Sequence, residues 1–412
     1  MTAPPDKTIS ILRVGHKGDG ETADGKFVPF TLPGEEVRIV EDEQGGYDLE
    51  ITKPSADRVQ PVCAHFGTCG GCQLQHMEAT AYRAWKREQV VIALEQRGLK
   101  DVNVEPTIAI APGTRRRAVL AARRTRDSIV LGFHERGGHF IADMKQCPVL
   151  HPELAAIVPR LRAGLEEELP DRGQAEISLT LTDAGIDVVL GLPGIELDRD
   201  RRSRLAILAD RLRFIRLVVN GEMVLQSAPP TLKWGGMPVT LPSGVFLQAT
   251  REAEASMQAH VAEDLAKAKK VADLFCGCGA FTLPLARSQA VSAFDSDEDA
   301  VSALAATLRA TQGLKPARAE RRDLFRRPLL KHELDAFDAV VIDPPRAGAR
   351  AQCEQLALSK VARISAVSCN PATFARDARI LVDGGYELKR VRPVDQFLWS
   401  AHVELTALFE RR

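Results

Sequence analysis

The 412-residue chain has neither a net charge nor a long apolar run. Its 55 basic side chains equal its 55 acidic ones, which argues against a protein that is strongly basic throughout. Charged residues interrupt each apolar run well before eighteen residues, so no transmembrane helix is expected. The first residues, MTAPPDKTIS, have no basic segment followed by an apolar one, so no signal peptide is expected. We therefore expect a cytoplasmic protein whose eight cysteines are reduced or metal-bound.

The length and the local patterns predict three domains. Residues 1–60 contain short apolar stretches separated by glycine and proline turns, including a Gly-Gly turn at 45–46. This predicts a small antiparallel β-barrel, of a kind that often binds RNA but in many proteins is only structural. Residues 61–238 predict an α+β domain, with an amphipathic helix over 78–98 that ends at Gly98. Residues 239–412 alternate strands with helices, which predicts an α/β domain.

The third domain contains four short apolar runs, each of which ends in small or polar residues. They are VADLF (271–275), AVSAFDSD (290–297), AVVIDPP (339–345) and RISAVSCNP (363–371). Strands that alternate with helices form a parallel, doubly wound sheet, and such sheets bind ligands at the carboxyl ends of their strands. The strand ends are therefore the expected site.

The first of these strands predicts a cofactor-binding turn. Gly277 and Gly279 follow the strand, and Asp295 ends the next strand about twenty residues later, where a carboxylate can bind ribose hydroxyls. The third glycine of the dinucleotide fingerprint is missing, which favours a nucleoside without a pyrophosphate, such as S-adenosylmethionine. Cys276 and Cys278 are interpreted as small packing residues.

Three further residues have side chains that suit the binding of a planar base or catalysis, although Asp343 could equally lie in a simple turn and Cys369 could be a buried structural cysteine. Asp343 lies in the rigid DPPRAG turn, Cys369 ends a strand in VSCNPATFARD, and Glu404 lies between apolar neighbours in FLWSAHVELTALFERR, which is read as one strand. A thiol at the mouth of a cofactor site can act as a nucleophile when its pKa is lowered. An acid inside an apolar strand is either paired or catalytic.

Two other stretches leave alternatives open. CAHFGTCGGCQLQHM contains Cys63, Cys69 and Cys72, which could bind a metal, form disulfides or only pack. TRRRAVLAARRTR at 114–126 has six arginines and no acid, so it predicts either a phosphate-binding patch or a solvated pair of strands.

In combination, DLFCGCGAFTLPLA, DPPRAG, VSCNPATFARD and HVE resemble the iron–sulfur-containing, S-adenosylmethionine-dependent RNA 5-methyluridine methyltransferases. These include 23S rRNA (uracil-5-)-methyltransferases and their tRNA relatives. The resemblance extends over nearly the whole chain. It implies a C-terminal Rossmann-like class I methyltransferase domain (239–412), an N-terminal TRAM/OB-like β-barrel (1–60) and a central α+β domain with an iron–sulfur site (61–238).

The resemblance also implies two cofactors, S-adenosylmethionine and a [4Fe–4S] cluster. The cluster's ligands would be the three clustered cysteines and a distant one in KQCPVL, that is Cys63, Cys69, Cys72 and Cys147. Four thiolates suit such a cluster, although they also suit tetrahedral zinc.

The family's mechanism implies roles for two residues. Cys369 would attack C6 of uracil, so that C5 becomes nucleophilic enough to take the methyl group. Glu404 would then remove the C5 proton so that the thiol can leave. The target base would have to leave its stack to reach the pocket.

Further positions match by resemblance. The cofactor contacts would be Gln248, Phe275, Gly277, Gly279, Ala280, Asp295, Asp323 and Asp343. The substrate contacts would be Phe246, Gln248 and Asp343, although ordinary core packing would also explain Phe246 and Phe275. Two positions depart from the pattern, because many relatives have asparagine where this chain has Ala280 and Thr250.

The partner implied is RNA, most simply 23S rRNA with tRNA as the alternative, and a monomer without membrane contact is expected. Two other classes compete with this reading. One is a non-catalytic RNA-binding factor, against which the intact Cys369, Asp343 and Glu404 argue. The other is an iron–sulfur redox enzyme, but the sequence has no flavin or nicotinamide fingerprint.

Overall fold

The computed structural model describes residues 8–41 and 47–412. The turn expected at 45–46 lies outside these ranges. The N-terminal segment forms a five-stranded antiparallel sheet in the order β3-β2-β1-β4-β5. Its strands are β1 (Thr8–Val14), β2 (Gly20–Thr22), β3 (Phe27–Val28), β4 (Glu36–Glu41) and β5 (Tyr47–Lys53). The antiparallel strands are confirmed, whereas closure into a TRAM-like barrel stays a prediction.

Helix α1 (Ala79–Glu95) follows the cysteine stretch. The Glu78 carboxylate accepts hydrogen bonds from the backbone N–H groups of Thr80 and Ala81, and Gly98 has a φ of +70° just after the helix, which favours glycine. The helix predicted over 78–98 is therefore confirmed. Its Val90 and Leu94 are buried in the core of the C-terminal sheet, which its sequence position alone did not indicate.

The central segment contains a seven-stranded sheet in the order β12-β11-β10-β9-β6-β7-β8. Two helices cover its core. The elements are β6 (Arg117–Arg124), β7 (Ile129–His134), β8 (Ile141–Asp143), α2 (Pro152–Leu165), β9 (Gln174–Leu181), β10 (Ile186–Gly191), α3 (Arg199–Arg211), β11 (Phe214–Val219) and β12 (Glu222–Gln226). A hairpin of β13 (Thr231–Trp234) and β14 (Met237–Thr240) leads into the last segment.

The C-terminal segment is a seven-stranded sheet in the order β17-β16-β15-β18-β19-β21-β20. Its elements are α4 (Arg251–Asp264), β15 (Lys270–Leu274), α5 (Thr282–Ala286), β16 (Ala290–Asp295), α6 (Glu298–Ala310), β17 (Ala317–Arg321), α7 (Lys331–Leu334), β18 (Ala339–Ile342), α8 (Arg350–Leu358), β19 (Arg363–Ser368), α9 (Pro371–Asp383), β20 (Tyr386–Val394) and β21 (Glu404–Arg411). Five strands are parallel, and β21 runs antiparallel to both of its neighbours. The predicted doubly wound α/β domain is therefore confirmed.

The chain order of the strands reverses at β15, since β16 and β18 lie on its two sides. A crevice for ligands is expected at such a point, beyond the carboxyl ends of the strands. Burial on both faces explains why β15, β18 and β19 read as nearly continuous apolar runs. Among the described residues, no helix combines the length and apolarity needed to cross a membrane.

One predicted strand was too long. FLWSAHVELTALFERR was read as a single strand, but β21 begins only at Glu404. The preceding residues 395–403 connect β20 with β21. We call them the shared loop, because they contribute to the walls of two cavities described below. The fully buried Lys86 ammonium donates to the backbone carbonyls of Phe397 (3.0 Å) and His402 (2.8 Å). The Trp399 N–H donates to the Tyr82 hydroxyl (2.7 Å). These groups of the loop therefore bond to α1 instead of forming a strand ladder.

Candidate active site

A cavity of about 550 Å³, which we call the sheet-edge cavity, lies at the carboxyl ends of the sheet strands. The structure brings nine of the predicted cofactor, substrate and catalytic residues to its wall: Phe246, Gln248, Phe275, Gly277, Ala280, Asp295, Asp343, Cys369 and Glu404. They come from positions up to 158 residues apart in sequence. Gly279 and Asp323 are the two predicted residues that do not line it.

The turn after β15 is held by the neighbouring strand β16. The N–H groups of Phe275 and Cys276 both donate to the Phe294 carbonyl (2.9 and 3.1 Å). The Gly277 N–H donates to one oxygen of Asp295 (2.9 Å), whose other oxygen accepts from Asp297 N–H (2.9 Å). Asp295 thus fixes the turn while its carboxylate stays at the cavity wall, where further donors can reach it.

Phe275 has a left-handed backbone, with a φ of +64°. This region is unfavourable for a bulky residue, and such strain is concentrated at functional sites. Its ring contacts that of Phe325, with the centroids 5.4 Å apart, and both rings line the cavity. Phe275 is therefore part of the cavity wall and also packs against the core of the sheet, and its aromatic partner was not predicted from the sequence.

The two predicted residues outside the wall serve the same region indirectly. A Cβ atom on Gly279 would come within 2.4 Å of a Leu304 methyl group, so this glycine permits close packing of the turn on α6. Asp323 accepts hydrogen bonds from the N–H groups of Phe325 (3.0 Å) and Arg326 (3.1 Å). It therefore shapes the turn that presents Phe325.

The two departures from the motif have different consequences. Ala280 lines the cavity with a methyl group, and its carbonyl accepts a hydrogen bond from the Gln258 side chain (2.8 Å). Thr250 is the N-cap of α4, and its hydroxyl accepts from Ala253 N–H (3.1 Å). Since threonine caps helices much as asparagine does, the Thr250 departure has a local structural explanation.

Two acids of the cavity, Asp343 and Glu404, are protonated more readily than ordinary acids. Burial, followed by the charges of Asp273 and Asp295, raises the pKa of Asp343 to about 7. Burial, followed by the charge of Asp343, raises the pKa of Glu404 well above its ordinary value. Two close carboxyl groups in a site of low dielectric disfavour a second negative charge. A bound cation would relieve that repulsion.

Cys369 lies at the end of β19 and lines the cavity. Burial, followed by the charges of Glu404 and Asp343, raises the pKa of its thiol to about 11. A nucleophilic role for this thiol requires its ionised form, which these neighbouring acids disfavour while they are charged. The charge states of Glu404 and Asp343 therefore influence the pH at which the Cys369 thiol ionises.

The wall also contains residues that the sequence reading missed. Gln396 joins Gln248 and Glu404 by hydrogen bonds, although it does not itself line the cavity. Phe397, His402 and Arg346 do line it, with His402 Nδ1 3.3 Å from an Arg346 nitrogen. All except Arg346 belong to the shared loop. The available signal was the polar pair Asp395–Gln396 between the apolar residues Val394 and Phe397.

A second opening, which we call the basic groove, joins the cavity at Cys369. Its volume is about 790 Å³, and its wall includes His16, Lys17, Arg136 and Arg346. Among the described residues, no acidic side chain lines it, although Arg136 is paired with Asp19 behind the wall. The groove therefore presents cations and amides on one side of the thiol.

The arginines at 115–117 fit neither of the two sequence readings. Arg116 is buried, and it bonds to the Glu254 carboxylate (2.7 Å) and the Gln248 carbonyl (3.0 Å). Arg117 donates to the Leu247 carbonyl (2.5 Å) and stacks on the Phe246 ring, 4.7 Å from its centroid. These side chains fasten the cavity segment 246–249 to the central sheet.

The four cysteines predicted to bind a metal also meet in space. Cys63, Cys69, Cys72 and Cys147 line a cavity of about 270 Å³, the cysteine cavity, together with Arg115. All eight cysteines lie in the described ranges, and none of them is in a disulfide. Within those ranges, no group of three or more His, Cys, Asp or Glu side chains is arranged to hold a metal ion. The convergence of the cysteines is thus established, but metal binding is not.

Comparison with known proteins assigns the family. The model of the tRNA (uracil-5-)-methyltransferase family matches residues 237–412. An uncharacterized RNA methyltransferase of Brucella suis is 46% identical over all of this chain and 99% of its own length. The chain belongs to the RNA (uracil-5-)-methyltransferase family. Members are S-adenosylmethionine-dependent enzymes, which confirms the expected class of enzyme.

More distant relatives have named substrates. The 23S rRNA (uracil(1939)-C(5))-methyltransferase RlmD of Vibrio vulnificus is 29% identical over 98% of this chain and 96% of its own. The crystal structure of Pyrococcus abyssi tRNA (uracil-54, C5)-methyltransferase with S-adenosyl-L-homocysteine has a TM-score of 0.76 at 23% identity. It covers 98% of this chain and all of the other. This structural likeness confirms the Rossmann-like fold within this family.

Proposed function

We propose that this protein transfers a methyl group from S-adenosylmethionine to C5 of a uridine in RNA, through a covalent bond between Cys369 and C6. The observation that carries the proposal is that Cys369, Glu404, Asp343 and Gln248 meet in one cavity at the switch point of the sheet. The acids at the same wall suit a cationic sulfonium.

The first step requires the Cys369 thiolate to add to C6 of uracil. The C5=C6 π electrons then move to C5, with the negative charge delocalised onto the O4 carbonyl, so that C5 becomes a nucleophile. S-adenosylmethionine supplies the methyl group as a sulfonium electrophile and leaves as S-adenosylhomocysteine. After transfer, C5 carries both the methyl group and its original hydrogen.

The second half of the reaction restores the aromatic base. Glu404 removes the C5 proton, the C5=C6 double bond forms again, and the bond from C6 to sulfur breaks to return the thiolate. Glu404 is 2% exposed, so water has little access to the proton it would take. Glu404 must be ionised for this step, and a nearby positive charge would favour that form.

The cofactor would bind along the turn after β15. Gly277 and Ala280 with Asp295 would face its nucleoside part, and the Phe275 and Phe325 rings would flank the adenine. Gly279 and Asp323 would support that turn from outside the wall. Phe246 is 67% exposed at the rim of the cavity, and its ring would stack on the target base. Gln248 and Asp343 would form polar contacts with the same base.

The basic groove would bind the RNA strand next to the target uridine. Lys17, Arg136 and Arg346 suit phosphates, and the groove opens directly at Cys369. Cations along the backbone give affinity without sequence preference. The expected substrate is 23S rRNA, supported by the full-length likeness to the Vibrio enzyme. The description of the matching family model favours tRNA as a second candidate. We expect a cytoplasmic monomer.

The cysteine cavity would hold a [4Fe–4S] cluster on Cys63, Cys69, Cys72 and Cys147. Four thiols around one cavity are the donor set that such a cluster requires, and Arg115 beside them would offset its negative charge. When bound, the cluster would link the loop at 63–72 to Cys147 and so organise the fold. Zinc is the alternative for the same four thiols.

The proposal is tested with purified protein, radiolabelled S-adenosylmethionine, and rRNA and tRNA from a strain that lacks the gene. We expect label in 5-methyluridine of 23S rRNA, mapped to one position by nuclease digestion. Label in tRNA alone would identify the second candidate. No label in either RNA, from protein that binds S-adenosylmethionine, would overturn the proposal and favour a non-catalytic RNA-binding factor.

A further inference from the structure

Gln396 lies behind the wall of the sheet-edge cavity and uses both ends of its amide. Its nitrogen donates to the Gln248 side-chain oxygen (2.8 Å) and to the Glu404 carboxylate (2.9 Å). Its oxygen accepts from the backbone N–H of Ala249 (2.9 Å). The side chain is only 2% exposed, so water cannot replace these partners. Each amide hydrogen and the oxygen therefore has a defined protein partner.

The Ala249 N–H determines which way this amide faces. A backbone N–H is always a donor, so the Gln396 oxygen must point to it and the NH₂ group must point the other way. Gln248 then has to present its oxygen to Gln396. Its own NH₂ group consequently faces the cavity, where it donates to Asp343 (3.2 Å). The backbone thus sets the orientation of two side-chain amides in succession.

The result is a defined pattern of polar groups at the cavity. Gln248 offers an N–H donor beside the Asp343 carboxylate, which is an acceptor when ionised. Uracil presents the complementary edge, with the O4 acceptor beside the N3–H donor. Cytosine presents the N4–H₂ donor and an unprotonated N3. A site built for one hydrogen-bonding pattern rejects the other strongly, since its buried groups would be left unpaired.

We propose that Gln396 is a positioning residue that makes this site select uracil over cytosine, by fixing the orientation of the Gln248 amide and the place of Glu404. The inference rests on the proposed function and adds to it a residue that does not touch the base. Without Gln396, the contact to Asp343 (3.2 Å) would be the one remaining side-chain hydrogen bond that orients the Gln248 amide. The amide would then turn over more easily and present its oxygen to the cavity, which suits the N4–H₂ group of cytosine.

The test compares Gln396→Leu with wild-type protein on two RNAs that differ only in having uridine or cytidine at the mapped target position. The measurement is kcat/KM for methyl transfer to each RNA at pH 8, above the pKa of about 7 for Asp343. We expect the preference for uridine to fall at least tenfold in the variant. The loss should combine slower uridine methylation with a measurable rate on cytidine.

The matched control is Gln352→Leu. Gln352 is also buried, and its amide bonds to the backbone N–H (2.9 Å) and carbonyl (3.1 Å) of Leu329, away from the sheet-edge cavity. It should lose stability without any change in base preference. Gln396→Glu is the second variant, which keeps an oxygen for Ala249 but has at most one hydrogen to donate, so it cannot bond to both Gln248 and Glu404. It should lose the preference as Gln396→Leu does.

The outcomes separate the inference from the function on which it rests. An unchanged preference in both folded Gln396 variants would overturn the inference while leaving the methyltransferase intact. An equal loss of preference in Gln352→Leu would also overturn it, because general loosening would then explain the effect. Wild-type protein that methylates neither RNA would overturn the proposed function itself and the inference with it.

Discussion

The cysteine cavity and the sheet-edge cavity are neighbours that share a wall but differ in charge. Phe397 and His402 of the shared loop line both. Among the described residues, no acid lines the cysteine cavity, whereas Asp295, Asp343 and Glu404 are among the acids of the other. The cysteine cavity therefore suits a negatively charged group held by thiolates, and the sheet-edge cavity suits a cationic ligand.

The cysteine side chains in the two cavities therefore have different neighbours. Cys69 and Cys72 face other thiols, and Cys369 faces two carboxyl groups. Thiols that surround one another are the kind of donor set that a metal ion would need, because a metal can replace their protons together. A single thiol beside acids has groups that can exchange protons with it during a reaction. The surroundings of a cysteine, rather than its presence, distinguish ligation from catalysis.

The largest expected effect is on methyl transfer in Cys369→Ala. We expect at least about a 10³-fold loss of rate, since the variant cannot form the bond to C6, while S-adenosylmethionine binding stays near the wild-type value. Single-turnover label transfer and equilibrium dialysis measure the two. Cys353→Ala, which changes a buried cysteine outside both cavities, is the control. Full activity in Cys369→Ala would refute the covalent mechanism.

Glu404→Gln should break the reaction at a later step. The adduct can form and take the methyl group, but the C5 proton then has no base, so protein and RNA stay bonded. We expect a band of higher mass on a denaturing gel that contains label from both RNA and cofactor, and that Cys369→Ala in the same chain removes. An active Glu404→Gln variant that never accumulates this band would contradict the role of Glu404 as the base.

Cys72→Ser tests whether the cysteine cavity binds a metal cluster. Wild-type protein reconstituted without oxygen should bind about four irons and show the visible absorbance of an iron–sulfur cluster, as four thiolates hold a cubane cluster. Cys72→Ser should lose most of the iron and the absorbance, whereas Cys353→Ser should keep both. One zinc per chain and no such absorbance in wild-type protein would show that the cavity holds zinc instead.

The smallest change tests the shared wall itself. Lys86→Met leaves the Asp395 carboxyl buried without its ammonium partner, and removing one member of a buried pair costs about 3–5 kcal/mol in free energy of unfolding. Denaturant titration followed by tryptophan fluorescence measures the loss. Lys331→Met removes a half-exposed ion pair and should change little. Equal losses in the two variants would show that Lys86 does not hold the loop.

The sequence predicted individual elements of this fold better than their contacts. The helix over 78–98 was correct because its apolar period and terminal glycine are local signals. That Val90 and Leu94 pack against the C-terminal sheet was not predictable, since periodicity indicates a buried face but not its partner. The predicted start of β21 was wrong because Lys86, which lies far away in sequence, donates hydrogen bonds to the backbone carbonyls of Phe397 and His402.

The candidate site shows the same division. The residues of short motifs, such as Asp343 and Cys369, line the cavity as expected, because strand ends in a parallel sheet meet at one edge. Gln396 was missed because its role depends on three partners, of which Ala249 and Gln248 lie almost 150 residues earlier. Arg116 was misread because nothing nearby in sequence reveals that Glu254 pairs with it.

The pairing of Lys86 with Asp395 also affects how the protein is made. The two residues are 309 positions apart, so a ribosome adding about 5–20 residues per second needs roughly 15–60 s to pass from one to the other. During that time Val90 and Leu94 of α1 have no partner, because their cover belongs to the last sheet, whereas Tyr82 and Trp85 already have partners in the N-terminal segment. The part of α1 that packs against the C-terminal sheet therefore stays uncovered until the last residues are synthesised. A chain that stops early leaves these apolar side chains exposed to chaperones and proteases.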